Sequence, residues 1–272
     1  MATKIAPNAH IDPRAELDDD VEIGPFCFIG PGVKIGRGTK LLNHVTLLRD
    51  VELGRDNLIY PYAVLGGDPQ DIAYAGSPTR VVVGDRNVIR ESVTINRASE
   101  KEAGVTRLGC DNYLMAGAHV AHDCLVGNHV IISNATLLGG HVHVGDHVTI
   151  SGGVAVHHYV TVGEYSYIAG LSLVRQDVPP YLLVEGHPAR PRCLNMIGLQ
   201  RKGFSKVVID PIAEAFRLIY QERKRLDEAE RLLKQHNHFT PEVRALVEFI
   251  RRQQSGRHGR ERDGRFVREN AA

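Results

Sequence analysis

Aliphatic residues recur at every sixth position through most of the first 178 residues, and this period constrains the fold more than any other feature of the chain. From Ile5 the series runs Ile11, Leu17, Ile23, Ile29, Ile35, Leu41, Leu47, Leu53, Ile59 and Leu65 without a failure. It resumes at Val83, Ile89 and Ile95, and after one insertion runs from Leu108 through Leu114, Val120, Val126, Ile132 and Leu138 to Val174. Four residues after most aliphatic positions sits a small or β-branched residue, such as Val21, Cys27, Val33, Ala118, Cys124 and Thr136, so both positions point inward. A period of six matches neither a helix nor a long alternating strand. It describes short flat strands joined by tight corners, three to a coil, each coil stacked on the last at about 4.8 Å. Glycine often follows the aliphatic residue directly, as at Gly24, Gly36, Gly84, Gly109 and Gly139, where a corner needs an unusual φ or a close backbone approach.

Two places break the rhythm. The run from Gly66 to Arg80 lacks aliphatic residues at the expected Asp71 and Ser77, and residues 97–107 insert between Ile95 and Leu108. Loops leaving a rigid solenoid are natural carriers of binding residues. Beyond Val178 the pattern stops at Pro179-Pro180 and helical signals replace it: Ser205 before KVVIDPIAEAFRLIYQ, then LDEAERLLKQH, then Thr240-Pro241-Glu242 opening a helix to about Arg252. The expected organisation is a solenoid over 1–190, a helical domain over 191–254, and a tail over 255–272. That tail carries Arg257, Arg260, Arg262, Arg265 and Arg268 without apolar periodicity and is expected to be mobile.

With 43% hydrophobic and 24% charged residues the chain is folded rather than disordered. Cys27, Cys110, Cys124 and Cys193 form no CxxC pair, which argues for a reducing compartment and against a thiolate zinc site; Cys27 and Cys124 occupy inward positions as core filler. No stretch approaches the roughly 18 apolar residues of a membrane span, and the N-terminus has no signal-peptide core, so a cytoplasmic location is expected. The net charge of +1 conceals a split: residues 1–190 carry 15 basic against 21 acidic side chains, and 191–272 carry 18 against 11. The basic C-terminal half suits an acidic partner.

A coil of three hexads makes residues 18 apart neighbours, which gathers His122, His141 and His157 along one edge over roughly 10 Å, with His119 just before the corner of the lowest coil. His129 and His147 fall in another phase and are read as solvated. None of the edge histidines occupies an inward position, so the column is a metal site or a catalytic and binding strip. Acid and base chemistry is favoured by the local sequence GAHVAHDC, where Asp123 follows His122 and can orient its imidazole. Gly139-Gly140 one coil later leaves backbone N–H groups free of side-chain bulk, as an oxyanion site requires. No serine or cysteine is placed as a nucleophile, so direct attack by a substrate hydroxyl is the simpler chemistry.

Taken together, AHVAHDC, QDIAYAGSPTR, GDRNVIRESVTINR, QDVPPY and LNMIGLQRKGFS resemble the acyl-[acyl-carrier-protein] UDP-N-acetylglucosamine O-acyltransferase family over nearly the whole chain. The resemblance, and not the periodicity, implies a left-handed parallel β-helix followed by a small α-helical domain. It implies a homotrimer that moves an (R)-3-hydroxyacyl group from acyl carrier protein to the 3-hydroxyl of UDP-N-acetylglucosamine, the first step of lipid A biosynthesis, with no metal or coenzyme. Carried over by motif, His122 is the general base beside Asp123, and Gly140 supplies the oxyanion N–H. His119, His141, His157 and His158 position sugar and acyl groups, and Gln70 and Asp71 contact the sugar nucleotide across the interface. Asn195 and Arg201 lie near the uridine diphosphate, and Gly170 stands where the family limits acyl length. Ala73, His158 and Ile197 depart from the family's lysine, glutamine and acidic residue at those places. The positive C-terminal half fits docking of acidic acyl carrier protein better than it fits nucleic acid.

Three other readings compete. A related transferase would use another acyl donor or an amino-sugar acceptor. A zinc hydratase of carbonic-anhydrase type would gather His122, His141 and His157 on a metal. A structural solenoid would stack end to end, although the helical domain should block one end.

Overall fold

The computed structural model describes residues 3–264. Two- to four-residue strands form the three faces of a prism, in parallel sheets whose hydrogen bonds run between coils rather than along the chain. The register is that of the repeat: Ile5 pairs with Ile23, Ile23 with Leu41, and Leu41 with Ile59. It then jumps to Ile89 and to Leu114 where the two excursions enter, and returns to steps of 18 through Ile132, Ile150 and Ile168. From Val21 onward the inward positions of the hexads are sealed in one continuous core that runs along the prism, Cys27 and Cys124 among them. Burial pushes the Cys124 thiol up to about 12. Ile5, in the first coil, has no coil beneath it and stays exposed.

The corners divide their demands in a way the repeat does not announce. Gly84 keeps an ordinary φ, but a Cβ there would meet the Gly109 carbonyl oxygen at 2.7 Å, so glycine is required by close stacking. The left-handed conformation falls instead three residues after the aliphatic position, on Asp123, His141 and Tyr159 in one column and on His129, His147 and Tyr165 in another. Left-handed backbone costs roughly 1–2 kcal/mol per non-glycine residue, and ring stacking along the columns offsets part of it. His129 lies 4.7 Å from His147, and His147 4.8 Å from Tyr165.

An antiparallel hairpin, Leu182–Gly186 with Ala189–Leu194, leads from the last coils into four helices: α1 Met196–Arg201, α2 Lys206–Phe216, α3 Leu226–Gln235 and α4 Pro241–Ser255. Thr240 caps α4 by accepting from the Val243 N–H. Leu199, Ile212, Ala215, Leu233 and Leu246 form the separate core of this domain.

Residues 256–264 correct the expectation of a mobile tail. They fold back along the last coils: the Asp177 N–H donates to the Gly259 carbonyl at 2.8 Å, the Glu261 N–H donates to Asp177 Oδ2 at 2.8 Å, and Arg260 donates to the Arg175 carbonyl at 2.8 Å. Apolar periodicity could not signal this because guanidinium and backbone hydrogen bonds hold the segment. Arg265 and Arg268 lie outside the described residues.

Candidate active site

The site begins with the strand His119–Val120, which carries His122 to the following corner. Asp123 adopts φ +59°, and the turn brings its carboxylate back to its neighbour: His122 Nδ1 donates to Asp123 Oδ2 at 2.8 Å. The same oxygen accepts from the N–H and hydroxyl of Ser99, at 3.0 and 2.7 Å. Burial raises the Asp123 carboxyl, but the hydrogen bonds from His122 and Ser99 outweigh it and hold the group below the usual carboxylate range. An imidazole whose Nδ1–H is held by a carboxylate presents Nε2 as an acceptor. Nε2 of His122 has no hydrogen-bond partner among the described residues.

Gly140 lies one coil above His122. A Cβ on it would stand 2.6 Å from His122 Cε1 and 2.7 Å from Nε2, so only glycine leaves the imidazole where it is. The Gly140 N–H has no backbone acceptor among the described residues. His119, whose Nδ1 is 2.7 Å from Thr94 Oγ1, is pushed below the ordinary histidine value by burial and then by the nearby His122. His119, His122, Gly139, Gly140, Leu137 and Gln70 line one open groove of about 500 Å³.

The first excursion thus reaches the groove, and two side chains in or near the second hold it there. Arg97, only 1% exposed, pairs with Asp68, lies 3.8 Å from Asp50 and donates to the Gly66 and Thr79 carbonyls. Lys101 pairs with Asp71 and keeps that carboxyl below its ordinary range.

The remaining expected site residues are spread more widely. His141 meets His122 edge-on, with centroids 5.1 Å apart, but is itself buried rather than in the groove. His157 opens onto a neighbouring groove with Arg175, Arg190 and His258, and its ring packs on His158. Asn195 uses both ends of its amide inside the fold, capping α1 through the Gly198 N–H and donating to the Tyr165 carbonyl. Arg201 is exposed in the last turn of α1. Gly170 has room beside it, with Gly152 O at 3.4 Å from where a Cβ would stand. Sequence reasoning missed Thr94, Ser99, Glu102 and Tyr159. Tyr159 was within reach, since it stands 18 residues after His141; the others had no periodic signal.

The zinc alternative needs three converging imidazoles, and within this chain His157 is not with the other two. The groups that do converge are His122, Asp123 and His141, with ligand atoms within 4.8 Å of one another. The carboxylate oxygen central to that set already accepts from Ser99 and His122.

The stacked hexad coils are those of a hexapeptide-repeat protein, and the family described as bacterial transferase hexapeptide (six repeats) matches residues 2–37. The family described as UDP N-acetylglucosamine O-acyltransferase, domain 2, matches residues 177–259. The UDP-N-acetylglucosamine acyltransferase of Bacteroides fragilis is 38% identical, with 91% of this chain and 96% of that one covered at a TM-score of 0.88. That of Francisella novicida is 36% identical over 90% of each chain at 0.86. That of Arabidopsis is 33% identical over 91% of this chain and 96% of its own at 0.80. The chain belongs to the UDP-N-acetylglucosamine O-acyltransferase family: it is an acyltransferase built on a left-handed parallel β-helix with a short helical C-terminal domain. No helix among the described residues is long and apolar enough to cross a membrane.

Proposed function

We propose that the chain transfers an (R)-3-hydroxyacyl group from acyl carrier protein to the 3-hydroxyl of UDP-N-acetylglucosamine, the first step of lipid A biosynthesis. The observation that carries the reading is the His122 imidazole, tied to Asp123 at Nδ1 and unpartnered at Nε2, beside the free Gly140 N–H. His122 Nε2 takes the proton of the sugar hydroxyl as its oxygen attacks the thioester carbonyl. Asp123 stabilises the imidazolium that forms. The Gly140 N–H donates to the oxyanion of the tetrahedral intermediate. Collapse breaks the C–S bond, and the departing thiolate recovers the proton from His122, so the base returns to its starting state.

Gln70 and Asp71 would hold the sugar nucleotide, and the separate grooves of His122 and His157 suit a homotrimer in which a second copy completes the site. Arg201 would lie near the uridine diphosphate. The basic C-terminal half would receive the acidic carrier protein. The test is His122→Ala, assayed with acyl carrier protein thioester and UDP-N-acetylglucosamine. It should fold and assemble normally and lose about 10²- to 10⁴-fold in turnover; a wild-type rate would refute the assignment. Light scattering reads the trimer directly.

A further inference from the structure

The His122 corner is braced from outside the repeat. His141 sits directly above Asp123 in the coil register, edge-on to His122 and stacked on Tyr159 at 4.4 Å. Its Nδ1 lies 3.1 Å from Glu102 Oε1, on the second excursion. That same oxygen accepts from Arg262 Nη2 at 2.8 Å, and Nη1 of Arg262 donates to the His141 carbonyl. One guanidinium therefore grips both the partner of the imidazole and the backbone that carries it, which a single-point cation cannot do. Residues 256–261 are independently fastened to Asp177 and Arg175, so Arg262 arrives on an anchored support. The family match ends at residue 259, three residues short of this arginine.

The charges at this clamp are kept where burial opposes them. Burial pushes the Arg262 guanidinium down, partly countered by Glu102. Burial likewise pushes Glu102 up, but His141 and Arg262 outweigh it and hold the carboxyl below its ordinary value. An ionised Glu102 can only accept, so it holds a proton on His141 Nδ1.

We propose that Arg262 and Glu102 are positioning residues for the acyl transfer: together they fix the ring orientation and tautomer of His141, and with it the surface against which the His122 imidazole rests. The inference rests on the reading of His122 as the base. The test uses the full chain with ¹⁵N-labelled histidine, comparing wild type with Arg262→Gln, Arg262→Lys and Glu102→Gln by imidazole NMR and steady-state kinetics. Wild type should show His141 with Nδ1 protonated, and Arg262→Gln and Glu102→Gln should lose that single signature. In both variants kcat should fall about 10- to 100-fold through misplacement of the base, with KM for the sugar nucleotide little changed, and Arg262→Lys should recover part of the rate. An unchanged His141 signature, or an unchanged kcat in folded Arg262→Gln, overturns the proposal. Should Arg262→Gln not fold, Glu102→Gln decides by the same readouts. A wild-type enzyme that leaves the sugar nucleotide unacylated would defeat the functional reading alone, because the NMR comparison still decides the clamp.

Discussion

His122 Nδ1 and Asp123 Oδ2 are 2.8 Å apart, a contact that sequence neighbours in an extended strand cannot make because their side chains point to opposite faces. The left-handed φ of Asp123 makes it possible. Asp123→Asn keeps the size but removes the charge and leaves an amide facing three donors: His122 and both groups of Ser99. Turnover should drop about 10²-fold or more, by the logic of charge loss behind a catalytic imidazole. A steady-state rate within twofold of wild type would remove Asp123 from the mechanism.

Gly140→Ala separates catalysis from folding. The added methyl would sit 2.6–2.7 Å from the His122 ring, and the imidazole is the group able to give way. The groove is open at this point, so the melting temperature should stay near that of wild type. A displaced base should cost about 100-fold in kcat. A fully active Gly140→Ala enzyme would mean that His122 does not work from this position.

Gly170 offers a cleaner test of chain-length control. A Cβ there meets Gly152 O at 3.4 Å and Ser151 Cβ at 3.8 Å, which is ordinary contact, so a larger side chain is tolerated. Gly170→Met should fold, keep its activity on short donors and discriminate against long ones. Mass spectrometry of the products formed from mixed acyl carrier protein thioesters measures this, and an unaltered product distribution would place the ruler elsewhere.

His143 predicts a pH effect on stability. Burial, reinforced by Arg262, holds its imidazole down at about 4, with Glu102 pulling the other way and His141 adding to the depression. The unfolded chain takes up this proton near the ordinary histidine value while the native state refuses it, so stability falls as pH drops from about 6.5 toward 4. His143→Gln lacks that liability. Its melting temperature relative to wild type should rise across this window, by about 2–4 °C per kcal/mol. Parallel melting curves at pH 7 and pH 4.5 would contradict the assignment.

The hexad made the prism legible because its two inward positions are set by one cause, burial between stacked coils, and Ile23, Leu41 and Ile59 pair as that cause dictates. The site was legible only in part. Steps of 18 set Gly140, not His141, above His122, and set His141 above Asp123; His157 stands above Gly139 and faces another groove. The aperiodic parts followed no rule that sequence exposes. Ser99 reaches Asp123 from an insertion, Arg97 pins the other insertion through backbone carbonyls, and Arg262 comes from the far end of the chain.

Because the strand ladders of each coil run only to the coils directly below and above it, the prism can change length in quanta. Eighteen residues added beneath Leu47 would raise the shaft by one strand spacing, about 4.8 Å, and leave the groove between Gln70 and His122 untouched. One residue added inside a strand at the same place would rotate the inward side chains out of phase within its coil, unless it left the prism as a loop, as the two excursions do. Such a chain can be lengthened by whole storeys far more safely than it can be edited letter by letter.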